Sequence, residues 1–416
     1  MTYLFDDAIR YDNSPNLDAF GRLRTSTPFT LFDSYHRFQD NGKITEYTSG
    51  TASSTYDTNS STILMNVGTA SGDKIYRESA RVFAYQPGKS LLTLQTFCAN
   101  PAKAGLRQRI GYFDVNNGVF IEVDGTTVNF VRRTSVTGSV LELKIPQNQW
   151  NVDKMDGSKN SSNPSGYTLD LTKTQILFFD FEWLGVGTVR CGFVIEGNFI
   201  VVHKFHHANQ PSGTAADTTL PYIQTACLPV RAELENTAGT ASASSFRLVC
   251  TSVISEGGYE LRGRPRSAFN PISSPVNLAT AGTVYPLLSI RLKSTRLNGI
   301  AIPVSYDVIP ISSGNYRYLV LTGTTSGGSW TSTGSDSIVE YNLTPTSINA
   351  GNTVFESGFI SSTVQGGGGL GGSDTSFKYQ LERNSFTSTA TEFILAVVCD
   401  TNTSKAAGAI NWQEIT

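Results

Sequence analysis

Two carboxylates in the sequence are spaced so that they could act together on a substrate. Asp180 and Glu182 stand two residues apart in the stretch QILFFDFEWLG, and alternate residues of a β-strand point to the same face. A glycoside hydrolase needs two carboxyl groups about 5–9.5 Å apart in a groove, and this spacing comes close. The alternative is structural, because Arg190 lies across a predicted hairpin and would hold Glu182 in an ion pair. The sequence favours the structural role, and we predict no catalytic residue.

The histidines form a second candidate cluster, of the type that binds a metal ion. His203, His206 and His207 are three of the four histidines in the chain. On a strand His203 and His206 point to opposite faces, and His203 and His207 would be about 13 Å apart. No cysteine or carboxylate completes a zinc spacing. We therefore predict edge-strand or subunit contacts and no metal site, with a pH-sensitive contact as the alternative.

Three aspartates and a run of glycines also have types that bind ions or phosphates. Asp153, Asp156 and Asp170 flank a polar loop, but their spacing matches no EF-hand and no closing glutamate follows. The run from Gly366 to Gly372, GGGGLGG, lacks the lysine and the following helix of a phosphate-binding loop. We predict turn aspartates, an exposed glycine loop and no cofactor.

Four arginines flank the strongest hairpin signal in the chain. The Asp124-Gly125 pair stands between alternating residues, which predicts a hairpin with a type I′ turn. The arginines are Arg107, Arg109, Arg132 and Arg133. One interpretation is a basic spot for a carboxylate or sulfate. The sequence favours solvated strand ends, because arginines are seldom fully buried.

Composition excludes several classes of partner. The 416 residues include 32 Lys and Arg against 34 Asp and Glu, a formal net charge of −2. Binding of nucleic acid or an anionic membrane relies on a positive field, so we expect neither as the main partner. No run approaches the roughly 18 apolar residues of a membrane span, and MTYLFDDAIRYDN lacks the parts of a signal peptide. Five scattered cysteines are expected as buried free thiols.

The elements that must position these residues are strands. The chain has 38 glycines and 11% aromatic residues, and nowhere do apolar residues recur at helical spacing over several turns. We predict an all-β fold of two antiparallel, jelly-roll-like β-sandwiches with an extended N-terminal arm. The expected division is residues 1–40 for the arm, 41–260 for the first sandwich, 261–275 for a proline-rich linker and 276–416 for the second sandwich.

The stretch from Gln175 to Phe205 is the most apolar in the chain and is predicted to form three consecutive strands. A Gly185-Val186-Gly187 turn separates the first two strands, and a Glu196-Gly197-Asn198 turn precedes the third. One face of the first hairpin is wholly apolar. We predict that the core of the first sandwich contains Phe179, Phe181, Trp183, Cys191 and Phe193.

A three-residue loop with Gly187 in the left-handed conformation would fix the register of this hairpin. Trp183 then lies opposite Val189, Phe181 opposite Cys191 and Phe179 opposite Phe193. The same register sets Glu182 across from Arg190. The register of the third strand stays open, because its turn has either two or three residues.

The segment from Asp18 to Asp33 has the features of an attachment arm. Pro28 restricts Thr27 to extended geometry, and an extended segment can add a strand to a partner. The predicted anchors are Phe20, Arg22, Arg24, Phe29, Leu31 and Phe32. Interfaces favour aromatic residues and arginine over lysine, and this segment has no lysine. The alternative is a strand that pairs within its own sheet.

The run DAFGRLRTSTPFTLFDS, residues 18–34, resembles the N-terminal signature of a group of virion structural proteins from tailed bacteriophages of marine bacteria and cyanobacteria. Further stretches resemble the same group in the same order, namely LRQRIGYFDVNNGVFIEVDG, FVRRTSVTGSV, QNQWNVDKMDG, LDLTKTQILFFDFEWLGVG and TSVISEGGYE. The resemblance covers about residues 15–265 and is weaker at LLSIRLKS and INWQEI. It implies a place in the virion and no chemistry.

We therefore expect a non-enzymatic structural protein of the tail, baseplate or fibre-attachment region of a virion, assembled in the host cytoplasm. Its expected partners are other virion proteins and copies of itself, in a trimer or a three- or six-fold ring. One alternative is a capsid decoration or head-fibre protein. Another is an adhesin or glycan-cleaving module that engages a host surface glycan through exposed aromatic side chains.

Overall fold

The computed structural model describes residues 27–209, 219–362 and 379–415, and within these ranges the chain is built from β-strands and two 3-10 turns. No α-helix occurs in these ranges, and hence none of a length that crosses a membrane. The 3-10 turns are Gln147–Gln149 and Ser294–Arg296. The all-β prediction is confirmed.

Fifteen strands from the described part of the chain form the first sandwich. They are β1 Phe29–Tyr35, β2 Ile44–Ser49, β3 Ser53–Asp57, β4 Thr62–Val67, β5 Lys74–Ser79, β6 Leu91–Cys98, β7 Leu106–Phe113, β8 Gly118–Asp124, β9 Thr127–Thr134, β10 Leu141–Pro146, β11 Gln175–Phe181, β12 Val189–Ile195, β13 Asn198–Phe205, β14 Val230–Asn236 and β15 Ser244–Ser255. The first sheet has the order β13-β12-β11-β6-β15-β4-β3, with β1 also paired to β15. The second sheet has the order β10-β9-β8-β7-β14-β5-β2.

The core of the first sandwich lies between these two sheets. Phe179, Phe181, Cys191 and Phe193 of the first sheet have no solvent exposure. Across the core, the ring of Phe179 lies 6.0 Å from that of Phe130 on β9, and Phe181 lies 5.2 Å from Tyr112 on β7. Trp183 follows β11, packs against the edge of this cluster and is partly buried.

The register of the central hairpin differs from the predicted one by two residues. Phe181 pairs with Val189 and Asp180 with Arg190, so the predicted Glu182–Arg190 pair is wrong. The connection is longer than three residues, and Leu184 and Gly185, not Gly187, have positive φ. Gly187 is required for a different reason, because a Cβ there would lie 1.9 Å from the backbone oxygen of Glu182. A two-residue shift keeps every side chain on its face.

The other two turns are now defined. Ile195 pairs with Asn198, so the second turn has two residues, Glu196 and Gly197, both with positive φ as a type I′ turn requires. The hairpin after β8 forms as predicted, but its loop residues are Gly125 and Thr126. Only Gly125 has positive φ, which is the pattern of a II′ turn, so the predicted type I′ is wrong.

The described part of the predicted arm is a strand of the chain's own sheet. β1 pairs antiparallel with β15 from Phe29 to Tyr35. Phe32 is 2% exposed in the core, Leu31 packs against that core, and Phe29 stacks on Tyr259 at 5.4 Å. Apolar burial therefore holds Phe32 and Leu31 within this chain, whereas Phe29 is 46% exposed and is held by its ring contact with Tyr259. Phe20, Arg22 and Arg24 lie outside the described residues.

In the described residues, fourteen strands belong to the second sandwich. They are β16 Arg264–Phe269, β17 Val276–Leu278, β18 Tyr285–Leu292, β19 Ile300–Pro310, β20 Asn315–Gly323, β21 Thr325–Ser326, β22 Trp330–Ser332, β23 Val339–Asn342, β24 Ser347–Ile348, β25 Thr353–Ser361, β26 Arg383–Asn384, β27 Thr389–Ala390, β28 Glu392–Cys399 and β29 Ser404–Ile415. One sheet has the order β16-β29-β17 with β19 on β29, and the other has the order β22-β23-β18-β28-β20-β25. β21 pairs with β24, and β26 with β27.

The proline-rich segment 261–275, expected as a linker, contains β16. Arg264–Phe269 pairs along its length with β29 and so belongs to the second sandwich. Pro265 is tolerated because β16 is an edge strand with one hydrogen-bonded neighbour. The prolines that indicated a linker are therefore equally compatible with an edge strand.

An extensive junction joins the two sandwiches. Val82 and Ala84, after β5, pack against Ile300 and Ile302 of β19. Glu78 of β5 is 1% exposed and lies between two guanidinium groups, at 2.6 Å from Arg231 and 2.7 Å from Arg383.

Arg383 belongs to the second sandwich and is itself 1% exposed, and it donates to the backbone oxygen of Ser79 at 2.7 Å. The junction is thus apolar at one end and ionic at the other.

The arginines expected at solvated strand ends are in large part buried. On the outer face of the second sheet, Arg109 donates to Glu122 at 2.7 Å and Arg133 donates to Glu142 at 2.7 Å. Both guanidinium groups also lie over the ring of Phe120. Arg107 pairs with Glu235, and Arg132 is buried. Opposite charges on neighbouring strands make the burial of Arg109 and Arg133 tolerable, whereas Arg132 has no carboxylate partner among the described residues, and burial lowers its pKa.

Truncation of Phe181 tests the core. Phe181→Ala should lower the free energy of unfolding by about 3–5 kcal/mol, since the ring is fully buried. Chemical denaturation of the full chain measures the change. Phe38→Ala is the matched control, because Phe38 is 79% exposed and its loss should change stability by about 0.5 kcal/mol or less. A loss below about 1 kcal/mol for Phe181→Ala would contradict the burial of this face.

Removal of the junction arginine tests the coupling of the sandwiches. Arg383→Met leaves Glu78 with one cationic partner, and we expect about 3–5 kcal/mol of destabilisation. Calorimetry should then show two separated unfolding transitions in place of one. Arg296→Met, at an exposed arginine of the second 3-10 turn, should preserve the single transition. An Arg383→Met profile identical to that of the control would show that the ion pair does not couple the sandwiches.

Candidate functional site

The outer face of the first sheet carries a groove across β6, β11, β12 and β13. Strand register places its side chains in rows about 7 Å apart along the strands. One row is apolar and consists of Leu94, Phe178, Gly192 and Val201. The next consists of Leu92, Asp180, Arg190 and Lys204. Beyond the strand ends, Ser90, Glu182, Thr188 and His206 complete the lining.

The charged row is centred on one ion pair. Arg190 donates to one oxygen of Asp180, and the hydroxyl of Ser90 donates to the other. Asp180 is 8% exposed, whereas the Arg190 side chain is 53% exposed. The carboxylate is thereby fixed at the groove floor, and the guanidinium presents its remaining donors to solvent. Lys204, directly across from Arg190, extends the row.

The polar end of the groove is formed by the loop after β11. The backbone N–H of Thr188 donates to Glu182 at 3.3 Å, and the Thr188 hydroxyl lies 3.2 Å from Nδ1 of His206. Asp180 and Glu182 thus line the same groove, as alternate positions predict. Each carboxylate is already an acceptor of hydrogen bonds from its own sheet or loop, an arrangement suited to binding polar groups.

The apolar end of the groove carries an exposed aromatic ring. Phe199 is 54% exposed, and its ring meets that of Phe178 edge to face at 5.0 Å. Phe178 lies across Gly192, where a Cβ would be 2.7 Å from the ring and 2.0 Å from the backbone oxygen of Ile200. Only glycine fits there, so Gly192 sets the position of Phe178, and Phe178 supports Phe199. Sequence reasoning missed Phe199, because its role depends on the two-residue turn before β13.

The three neighbouring histidines are separated by the fold. His203 points into the core, stacked at 6.4 Å on Phe130. His206 is exposed at the groove, and Nε2 of buried His207 lies 2.5 Å from the backbone oxygen of Leu220. In the described ranges no three His, Cys, Asp or Glu side chains group as metal ligands. The opposite faces predicted for His203 and His206 are observed.

The three aspartates of the polar loop accept hydrogen bonds from nearby backbone N–H groups. Asp153 is 1% exposed and accepts from the backbone N–H groups of Met155 and Ser165 at 2.9 and 2.8 Å. Asp156 accepts from Ser158, and Asp170 accepts from Thr172. These are turn contacts that satisfy the loop backbone.

A second candidate surface is the edge strand β25 of the second sandwich. Among the described strands this nine-residue strand is the last in the order of its sheet, and Phe359 on it is 82% exposed. Val354, also on β25, is 47% exposed. A bulge at Phe355 turns that ring inward onto Tyr379, at 5.5 Å. The sequence did not identify this surface, since a strand's place at a sheet edge is a property of topology.

No protein-family model and no curated protein matches the chain. Among solved structures, a protein of unknown function from Shewanella oneidensis MR-1 is 11% identical, with 57% of this chain and 91% of that chain covered and a TM-score of 0.35. A putative β-glucanase from Mycobacterium abscessus is 10% identical, with 55% of this chain and 100% of that chain covered and a TM-score of 0.34. A legume lectin-like domain from Entamoeba histolytica is 8% identical, with 56% of this chain and 98% of that chain covered and a TM-score of 0.30. These are similarities in fold over about half of this chain.

Burial of His203 predicts acid sensitivity of the first sandwich. Burial, with a smaller effect of His206, lowers the pKa of His203 from 6.5 to about 4. Between these pH values the unfolded chain binds more protons than the folded chain, so stability falls as pH falls through this window. The loss amounts to about 3 kcal/mol, and the stabilisation is complete above about pH 6.5.

Chemical denaturation between pH 7 and pH 4 measures this loss. His203→Phe should flatten the profile, whereas His206→Asn, at an exposed position, should retain most of the slope. Equal slopes for His203→Phe and the unsubstituted chain would contradict a buried, neutral His203.

Proposed function

We propose that this chain is a non-enzymatic structural protein of a tailed-phage virion, located in the tail, baseplate or fibre-attachment region and assembled from several copies. The virion setting is supported by the resemblance of residues 15–265 described above. The observation that carries the assembly role is the exposed edge strand β25 with Phe359.

An exposed apolar edge strand is a hazard for a protein that stays monomeric. The backbone N–H and C=O groups at a sheet edge can pair with another chain, and natural proteins usually shield such edges with charge, proline or a covering segment. β25 has the sequence TVFESGFIS, with one charged residue and no proline. We assign the exposed surface around Phe359 to a neighbouring copy in a trimer or a three- or six-fold ring, because closed symmetry hides exposed surfaces at sheet edges.

The state of the carboxylates supports a role without catalysis. The nucleophile of a retaining glycosidase needs a carboxylate that is free to reach the sugar. Asp180 is instead fixed by Arg190 and Ser90. The groove therefore presents groups that bind, and the chain acts through its surfaces.

The oligomeric state tests the assembly role. Light scattering of the purified full chain should give a trimer or a multiple of three. Phe359→Ser should shift the chain toward monomer at the same concentration while its melting temperature changes by only a few degrees, because the side chain is 82% exposed. Phe38→Ser is the matched control at another exposed phenylalanine. A chain that is monomeric at every concentration, or a Phe359→Ser variant that assembles normally, would contradict the use of this edge.

Localisation in the particle tests the virion role. Immunogold labelling of the phage that encodes the chain should place it at the tail in several copies. Labels over the capsid would support the alternative of a decoration or head-fibre protein, and purified particles without the chain would overturn a virion role.

A further inference from the structure

We propose that the groove on the outer face of the first sheet binds a neutral oligosaccharide. One sugar ring lies on Phe199, and the hydroxyls of the adjoining sugars contact Asp180, Arg190 and Lys204. The site lies on a different sandwich from β25, so this inference goes beyond the assembly role and does not depend on it.

The shape of the groove fits an extended ligand. Its hollow at the polar end has a volume of about 420 Å³, and the hollow at the apolar end about 220 Å³. Asp180 and Arg190 line both hollows, so the ion pair forms their common wall. Together they reach the size of ordinary ligand pockets, about 300–1,000 Å³. A chain of linked rings can cross the ion pair and occupy both.

The charges select a neutral ligand. Arg190 and Lys204 face the carboxylates of Asp180, Glu182 and Glu256. A sulfated or sialylated glycan would therefore meet at least as much negative as positive charge, at a cost in affinity. Sugar hydroxyls both donate and accept hydrogen bonds, which suits a row that alternates carboxylate acceptors with cationic donors.

The aromatic ring is placed in advance of binding. Sugar rings present C–H groups on one face, and the negative face of an aromatic ring attracts them. Phe199 is held by Phe178, which in turn is held against Gly192, so little side-chain freedom is lost when a ligand binds. The exposed Phe199 ring lies with Phe178 and Val201 on the apolar side of its hollow, and Asp180, Arg190 and Glu256 line the other side.

The test is calorimetric titration of the full chain with maltohexaose, cellohexaose, laminarihexaose and chitohexaose, and with a heparin hexasaccharide as the anionic comparison. At least one neutral hexasaccharide should bind, and the heparin hexasaccharide should bind at least about tenfold more weakly. Phe199→Ala should lower the affinity at least about tenfold, and Lys204→Met several-fold. Phe38→Ala, at an exposed ring elsewhere, should bind as the unsubstituted chain does.

Thermal unfolding will show that each variant is folded before titration. Absence of binding by all four neutral hexasaccharides at millimolar concentration would overturn the proposal, as would unchanged affinity in the folded Phe199→Ala variant. Tighter binding of the heparin hexasaccharide would overturn the neutral class. The proposed assembly uses β25 and not Phe199, so failure here is distinguishable from failure of the proposed function.

Discussion

The buried carboxylate of Glu78 is the constraint on which the arrangement of the two sandwiches depends. It is 1% exposed, and a buried charge is tolerated only when partners compensate the lost hydration. One partner, Arg231, comes from the same sheet. Burial acts to lower the pKa of Arg231, but Glu233 and Glu78 outweigh it and hold that pKa above its usual range. The other partner, Arg383, comes from the second sandwich. The first sandwich thus completes its own ionic network only when the second is docked on it.

Strand alternation gives the first sheet two separate roles. Phe179 and Phe181 point inward and fill the core, while Phe178 and Asp180 on the same strand point outward and form the groove. Packing of the core therefore also fixes the groove, because one strand backbone carries both the core side chains and the groove side chains. Gly192 is the position where the two roles meet, since its missing side chain admits the ring of Phe178.

The sequence predicted the all-β class and the apolar face of the central hairpin, because both follow from local alternation. Its register was wrong by two residues because the loop after Phe181 is shaped by Leu184 and Gly185, and left-handed leucine is not readable from residue type. Such a shift exchanged the partner of Arg190 from Glu182 to Asp180 without moving any side chain to the other face.

Contacts that are distant in the chain were not predicted. The burial of Arg109 and Arg133 depends on carboxylates of neighbouring strands, and the edge position of β25 depends on the order of six strands. The segment from Phe29 has the same extended, aromatic pattern whether it pairs with its own sheet or with another. Pairing with β15 inside the chain is decided by tertiary packing of Phe32, which local sequence does not specify.

The distance along the chain between the two halves of the junction has a consequence for synthesis. Arg383 donates to Ser79 across 304 residues of sequence. At about 5–20 residues per second, ribosomes need roughly 15–60 s to make that length. During this interval β5 has been made and Arg383 has not, and Arg231, 153 residues after Glu78, is itself translated only about halfway through it. Until then Glu78 is incompletely compensated, so the docking of the first sandwich on the second must follow the synthesis of Arg383.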